Sequence, residues 1–243
     1  MSWPILHWNQ AATVSSEVLR QADVRARDEF GIEPQQLMEI AGWQVARFVD
    51  AFLDGARGKH VLVVAGSGNN GGDALVAARF LYQRGALVTA SIVATKDQGS
   101  LVARHTATIA SLGIRIHEAP AGIDGSVDTI VDGLFGTGIR LPLREPGPRI
   151  LSAMNEAGRP IVSIDVPSGI DADTGVGAEN AVRAAATVTL AAPKAGLRRA
   201  QNSGRVFVAD IGIPATLFSA ERTEIEAIYR AGSLVELSDP ELT

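Results

Sequence analysis

Two hydrophobic periods divide the chain. Over residues 15–53 apolar side chains recur three or four positions apart, as at Leu37, Met38, Ala41, Val45 and Phe48, the spacing of a helix that buries one face. Ser15-Ser16-Glu17-Val18 suits a helix start, and Pro34 separates a first helix from a second. Gly55 and Gly58 close this helical part. From His60 onward short apolar, β-branched runs alternate with helical stretches. Strands are expected at 60–65, 86–93, 114–116, 129–134, 160–165, 185–191 and 205–209. Helices are expected at 73–84, 98–112 and 150–157. The tail beyond Ala220 is more charged and predicts a terminal helix with a frayed end.

The strands are apolar throughout rather than alternating, which calls for a mostly parallel sheet covered on both faces. No internal repeat or low-complexity linker interrupts the pattern. The expected organisation is one domain over 1–243, with a helical part at 1–58, an α/β core at 59–220 and a tail at 221–243. In such sheets ligands bind at the carboxyl ends of the strands. Three strands here run into polar, glycine-rich loops, at 66–73, 132–142 and 165–173. Side by side they would form one site.

Composition narrows the chemistry. The chain has 243 residues, 46% of them hydrophobic and 20% charged, with a net charge of -5. It shows no basic stripe for nucleic acid. It has no cysteine, which excludes disulfides and thiolate chemistry. His7, His60, His105 and His117 are scattered without metal-ligand spacing. No run is long enough to span a membrane, and Met1 to Gln10 does not read as a signal peptide, so a cytoplasmic location is expected.

The loops carry the candidate residues. Gly66-Ser-Gly68-Asn-Asn-Gly71 satisfies GxGxxG between a strand and a helix, where small residues and free N–H groups accommodate phosphate. Asp73 would stand at the helix N-terminus, either as a cap or as a ligand-facing acid. Asp97 lies where a ribose-binding acid would be sought. Asp132 and Asp165 are charges at apolar strands, costly unless paired or metal-bound. For Asp132 structure and function are equally served; for Asp165, followed by Pro167-Ser168-Gly169, function is favoured. Asn70, Asp132 and Ser168 offer only oxygen ligands, and one carboxylate with neutral oxygens suits a monovalent ion. Arg140 could pair with phosphate, Arg144 reads as a solvated charge, and Lys194 faces either the same cleft or solvent.

Taken together these segments resemble the NAD(P)H-hydrate epimerase family, the YjeF N-terminal domain. The resemblance rests on Leu37-Met-Glu-Ile-Ala-Gly42, Gly66-Ser-Gly-Asn-Asn-Gly-Gly-Asp73, Val131-Asp-Gly-Leu-Phe-Gly-Thr-Gly138 and Ile164-Asp-Val-Pro-Ser-Gly-Ile-Asp171. Pro193-Lys-Ala-Gly196 and Asp210-Ile-Gly-Ile-Pro214 also fit, in the right order and over nearly the whole chain. It implies a Rossmann-like three-layer α/β/α sandwich with an N-terminal helical extension. It implies interconversion of the two C6 epimers of hydrated NADH and NADPH, for a separate dehydratase to restore. By resemblance Asn69, Asn70, Gly71, Gly72 and Asp73 bind substrate, with Gly136, Thr137, Gly138, Ile139, Arg140, Leu141 and Pro142. Asn70, Asp132 and Ser168 match positions that hold a potassium ion. Asp165 matches a substrate-contacting acid and is the expected proton-handling group. A homodimer through the N-terminal helices is among the assemblies the resemblance allows.

Two positions depart from the family pattern. Ile40 stands where Asn is usual, and Ala74 where Gly is usual. Ile40 would replace a polar group bordering the site, and Ala74 would crowd a backbone approach. Two other readings compete. One is a redox enzyme using intact NAD through the GxGxxG; an acid at Asp73 near a pyrophosphate disfavours it. The other is a non-catalytic binding or scaffold module, which has no evident need for Asp132, Asp165 and Ser168 together.

Overall fold

The computed structural model describes residues 3–239. Its strands are β1 (Ile5–His7), β2 (His60–Ala65), β3 (Leu87–Ile92), β4 (Arg115–Glu118), β5 (Thr129–Gly133), β6 (Ile161–Ile164), β7 (Ala186–Leu190), β8 (Arg205–Ala209) and β9 (Leu234–Ser238). Its α-helices are α1 (Ser16–Phe30), α2 (Pro34–Phe52), α3 (Asn69–Gln83), α4 (Leu101–Ser111), α5 (Gly147–Glu156), α6 (Ala195–Arg199) and α7 (Arg222–Ala231). Among the described residues no helix is long and apolar enough to cross a membrane.

The strands form one sheet in the order β1-β9-β8-β7-β6-β5-β2-β3-β4. Pairing is parallel from β8 through β4, and only β8–β9 is antiparallel. The expected α/β sandwich with a mostly parallel sheet is what the chain forms. Successive side chains of β2 feed opposite faces: Val61, Val63 and Ala65 join the core under α2 and α3, while Leu62 and Val64 join the core under α5. From β2 the chain winds outward to β3 and β4, then returns to β5 on the other side of β2 and winds the opposite way. The carboxyl ends of β2 and β5 therefore flank the point where the winding reverses, the place where a crevice opens in a doubly wound sheet.

The helix starts follow local chemistry. The Ser15 hydroxyl caps α1 by accepting from Val18 N at 3.3 Å, and Gly31 at φ 66° closes it. Glu33 and Gln36 form a capping box ahead of α2, with Pro34 in its first turn. α2 crosses α3 closely at Gly42, where a Cβ would lie 2.4 Å from Val76 Cγ1.

Three expectations need correction. α3 begins at Asn69, not at Asp73, so Asp73 stands inside the helix and is no cap. The capping atom is missing there altogether, since the preceding residue is Gly68. The charged tail is not only a helix: α7 is followed by β9, whose buried Leu234, Val235 and Leu237 extend the sheet between β8 and β1. Both strands lie outside the 59–220 core, at the two ends of the chain. The predicted fraying concerns residues at the end of the tail, and 240–243 lie outside the described residues.

Candidate functional site

The reversal point holds a cleft of about 1010 Å³. Its floor is the turn between β2 and α3, its flank the loop after β5, and its far wall the loop after β6 with Lys194. α1 and the start of α2 roof it, through Asp23, Leu37, Met38 and Ala41.

The glycine-rich turn is shaped by packing as much as by ligand access. A Cβ on Gly66 would fall 1.9 Å from the Leu134 carbonyl oxygen, and one on Gly71 would fall 1.9 Å from the Gly66 carbonyl oxygen. Both glycines let strand, turn and helix lie against each other. Only Gly68 has open space on its Cβ side. Gly68, Asn69, Asn70 and Asp73 face the cleft, whereas Gly71 and Gly72 lie beneath it, Gly72 against Met38. With no side chain capping α3, its first N–H groups remain available to an anion.

Asp165 is at the centre. Its backbone adopts φ 69°, a left-handed conformation uncommon outside glycine and tolerated by Asp. That turn carries the carboxylate back to the end of β7. There Oδ1 accepts the Leu190 N–H at 3.3 Å and the Lys194 ammonium. Lys194 is only 1% exposed, not a solvated loop lysine. Its Nζ also donates to Thr189 Oγ1 at 2.9 Å and to the Leu190 carbonyl at 2.7 Å, so all three protons are used.

Two further carboxyls share this space. Asp73 is 7% exposed and, among the described residues, makes no hydrogen bond. Burial holds its carboxyl well above the usual range, and Asp165 and then Asp23 push it the same way, with Lys194 opposing. Asp23 opens onto the cleft from α1. The protein packed around it, then the charge of Asp165, pushes it up to about 6 against the pull of Lys194, but the side chain remains exposed to the water of the cleft, which damps that shift. Nothing in the sequence pattern singled out Asp23 as chemistry. The signal was there: Leu19, Ala22 and Ala26 form the buried stripe of α1, and Asp23 borders it.

Asp132 and Ser168 lie under the floor, both fully buried and outside the cleft lining. Asp132 accepts four hydrogen bonds: from Ser168 Oγ at 2.6 Å, Ser163 Oγ at 2.8 Å, Ser168 N at 2.9 Å and Leu134 N at 3.2 Å. Burial pushes its carboxyl up, and those bonds oppose the rise. Ser168 Oγ in turn accepts Phe135 N–H at 2.8 Å, so Asp132 ties the β5 loop to the β6 loop. Asn70 spans the same loops, donating to the Phe135 carbonyl at 2.9 Å and the Ile164 carbonyl at 3.2 Å. Its Oδ1 is buried without a partner.

The rest of the candidate set divides. Gly136, Thr137, Gly138, Ile139 and Arg140 line the cleft, and so does Arg144; Leu141 and Pro142 are exposed beyond its rim. Asp97 caps its own loop, accepting Gly99 N–H at 2.9 Å, and does not line the cleft. Neither departure from the family pattern lines it either. Ile40 is a partly exposed residue of α2, close to Gly212. Ala74 is fully buried and faces Gly133 of β5, where absence of a second Cβ leaves it room.

A family model described as YjeF-related protein N-terminus matches residues 34–196. The chain is 32% identical over 235 residues to the NAD(P)H-hydrate epimerase of Dehalogenimonas lykanthroporepellens, a match that covers 96% of each chain. It is 37% identical over 211 residues to the NAD(P)H-hydrate epimerase of Weissella koreensis, covering 82% of this chain and 91% of that one. It is 35% identical over 219 residues to the bifunctional NAD(P)H-hydrate repair enzyme Nnr of Thermofilum pendens, covering 86% of this chain. That match takes in 41% of the relative, so the chain spans about two fifths of such a bifunctional protein. The crystal structure of yeast ynu0 (YNL200c) superposes with a TM-score of 0.78 at 30% identity, over 86% of this chain and 93% of the yeast one. With the glycine-rich turn, Asp73, Asp132, Asp165 and Lys194 all falling on the matched segment, the chain belongs to the family of YjeF-related protein N-termini.

Proposed function

We propose that this protein epimerises hydrated NADH and NADPH, at the C6 carbon; relatives covered over most of their length carry the name NAD(P)H-hydrate epimerase. The observation that carries the reading is the Asp165–Lys194 pair, set in the far wall of a cleft of about 1010 Å³ whose floor is a helix N-terminus. Inverting a carbinolamine carbon needs proton transfer but no electron transfer. An ionised carboxylate within reach of the C6 hydroxyl is the group for that task. Asp165 takes this role. Asn69, Asn70 and Asp73, with the 136–140 loop, hold the coenzyme; Gly71, Gly72, Leu141 and Pro142 shape the two loops from behind.

The ion belongs to the same reading. Asn70 Oδ1 is a buried oxygen acceptor with no partner among the described residues, and Ser168 Oγ has a lone pair to spare. Asp132 supplies negative charge beside them. All-oxygen donors with one carboxylate fit a potassium ion, held by Asn70, Asp132 and Ser168. The cation would supply positive charge beneath the cleft floor and order the two loops that meet there.

A separate dehydratase is the functional partner. Exposed Val24, Phe30, Trp43 and Phe52 on α1 and α2 support a homodimer through those helices, checked by the mass in solution. The activity is tested by coupling. An epimer-specific dehydratase alone should consume one epimer quickly and stall at the spontaneous rate for the other. Adding this protein with potassium should remove the stall, and Asp165→Ala should restore it. If the stall persists with the wild-type protein, the reading fails.

A further inference from the structure

The N-terminal helix α1 lies outside the segment matched by the family model, yet it is fixed onto the reacting centre. Ser16 N and Ser16 Oγ donate to Asp173 Oδ1 at 2.8 and 3.2 Å, in the loop that follows Asp165. Just before the helix, Val14 N donates to the Pro193 carbonyl at 2.9 Å, and Val14 pairs with Lys194 as a parallel bridge. Both tethers hold the start of α1 to the two loops that carry the Asp165–Lys194 pair. Two turns along, Asp23 comes over the cleft.

Asp23 is the one acid on α1 that borders the buried stripe, and its carboxyl makes no hydrogen bond among the described residues. The helix's other acids are all engaged outside: Glu17 with Arg20, Asp28 with Arg27, Glu29 with Arg25. The charged groups facing Asp23 are therefore few. Asp165 and Lys194 neutralise each other, and Asp73 lies below, itself more than nine-tenths buried and unpartnered. Asp173 is occupied by Ser16 and Arg20 by Glu17, while α2 and the 211–213 loop present Leu37, Met38, Ala41, Ile211 and Ile213. Asp23, Asp73 and Asp165 thus share this end of the cleft with Lys194, while Glu17, Arg20, Arg140, Arg144, Glu145 and Asp173 complete its charged lining. Carboxyls gathered at close range favour retention of a proton by one of them.

We propose that Asp23 is the second proton-handling residue of the site, a catalytic acid that works across the substrate from Asp165. The proposal rests on the epimerase reading and deepens it. Asp165 takes the proton of the C6 hydroxyl while the N1–C6 bond breaks. Its electron pair goes to N1, C6–O becomes a carbonyl, and N1 takes a proton from Asp23. Rotation about the C5–C6 bond presents the other carbonyl face. N1 then attacks, Asp23 recovers its proton, and Asp165 returns one to the oxygen. Proton count and charge are restored at each turnover, and no oxidant or reductant is needed. One carboxylate alone would have to deliver to nitrogen the proton it had taken from oxygen; two carboxyls in opposite protonation states do both at once.

Asp23→Asn keeps the size of the side chain and removes the proton donor. With single-epimer hydrated NADPH, kcat should fall about 100-fold or more, the range for losing a general acid. Binding of the hydrated coenzyme, read by tryptophan fluorescence, should stay within threefold. In the wild type, kcat/KM should decline above about pH 6 as Asp23 ionises, and the variant should lack that limb. Asp23→Glu should recover part of the rate, and Asp28→Asn, on the outer side of the same helix, should match wild type. Carbon-13 NMR titration of the Asp23 carboxyl supplies a readout independent of activity. An Asp23→Asn protein that turns over within threefold of an active wild type, with the same pH profile, overturns the proposal alone. A wild type no faster than the spontaneous reaction overturns both it and the epimerase reading.

Discussion

Replacing Lys194 by Met should expose how tightly the reacting centre is bound to the fold. Methionine matches the length and apolar stem of lysine and fills the same space, so the change is one of charge. Lys194 is 1% exposed and its ammonium is shared among Asp165 Oδ1, Thr189 Oγ1 and the Leu190 carbonyl. Without it Asp165 keeps a single donor, Leu190 N at 3.3 Å. Leaving one member of a buried pair uncompensated costs about 3–5 kcal/mol. Asp165 touches the water of the cleft, which places the expected loss near the lower end, about 3 kcal/mol. For a protein of this size that lowers Tm by about 6–12 °C. The assay is a four-protein cycle of wild type, Lys194→Met, Asp165→Asn and the double variant, each unfolded in urea with circular dichroism as readout. Removing the stranded charge should rescue the lysine variant, giving a coupling of about 2 kcal/mol or more. Single effects that add to the double within about 0.5 kcal/mol would refute the pairing.

Other parts of the site make separate predictions. Gly71→Ala drives a Cβ into the Gly66 carbonyl and should destabilise by about 3 kcal/mol, whereas Gly68→Ala should leave the melting curve nearly unchanged; thermal scans of both decide it. Asp132→Ala strips four donors of their acceptor and should cost about 3 kcal/mol or more, with earlier proteolytic cleavage in the 134–140 loop; cleavage at the wild-type rate would contradict it. Asp73 is protonated in the folded protein well above the range in which it ionises once unfolded. The folded state then holds the extra proton, so Asp73's contribution to stability is complete below about pH 4 and is lost as pH rises through its folded value. Asp73→Asn should accordingly narrow the gap between Tm at pH 5 and at pH 8, and an unchanged gap would count against the buried acid.

Much of this architecture was legible as pattern. Apolar strands between helical runs foretold a parallel sheet because both faces of β2, β5 and β6 are covered, leaving no polar face to alternate. Its reversal point brought the Gly66 turn, the Asp132 loop and the Asp165 loop together, as their positions at strand ends implied. Long-range pairing was not legible. β1 has three residues and pairs only with β9, at the other end of the chain, and β9 joins the sheet by pairing with β8 as well. Lys194 stayed open between cleft and solvent, since nothing local shows that Asp165, 29 residues earlier, turns back to meet it. Asp73 stayed open between a cap and a ligand-facing acid because the helix starts at Asn69, four residues earlier, after Gly68, which has no capping side chain. Asp132 divided evenly between structure and function in sequence terms, and the fold gives it a structural duty: four hydrogen bonds that tie two loops of the site.

The most direct test of the central claim follows a single purified epimer of hydrated NADPH by chromatography that separates the two, with potassium present. The account predicts that the protein brings the epimers to equilibrium far faster than buffer alone, and that Asp165→Ala lies about 100-fold or more below wild type. Equilibration at the spontaneous rate with the folded wild-type protein would contradict it.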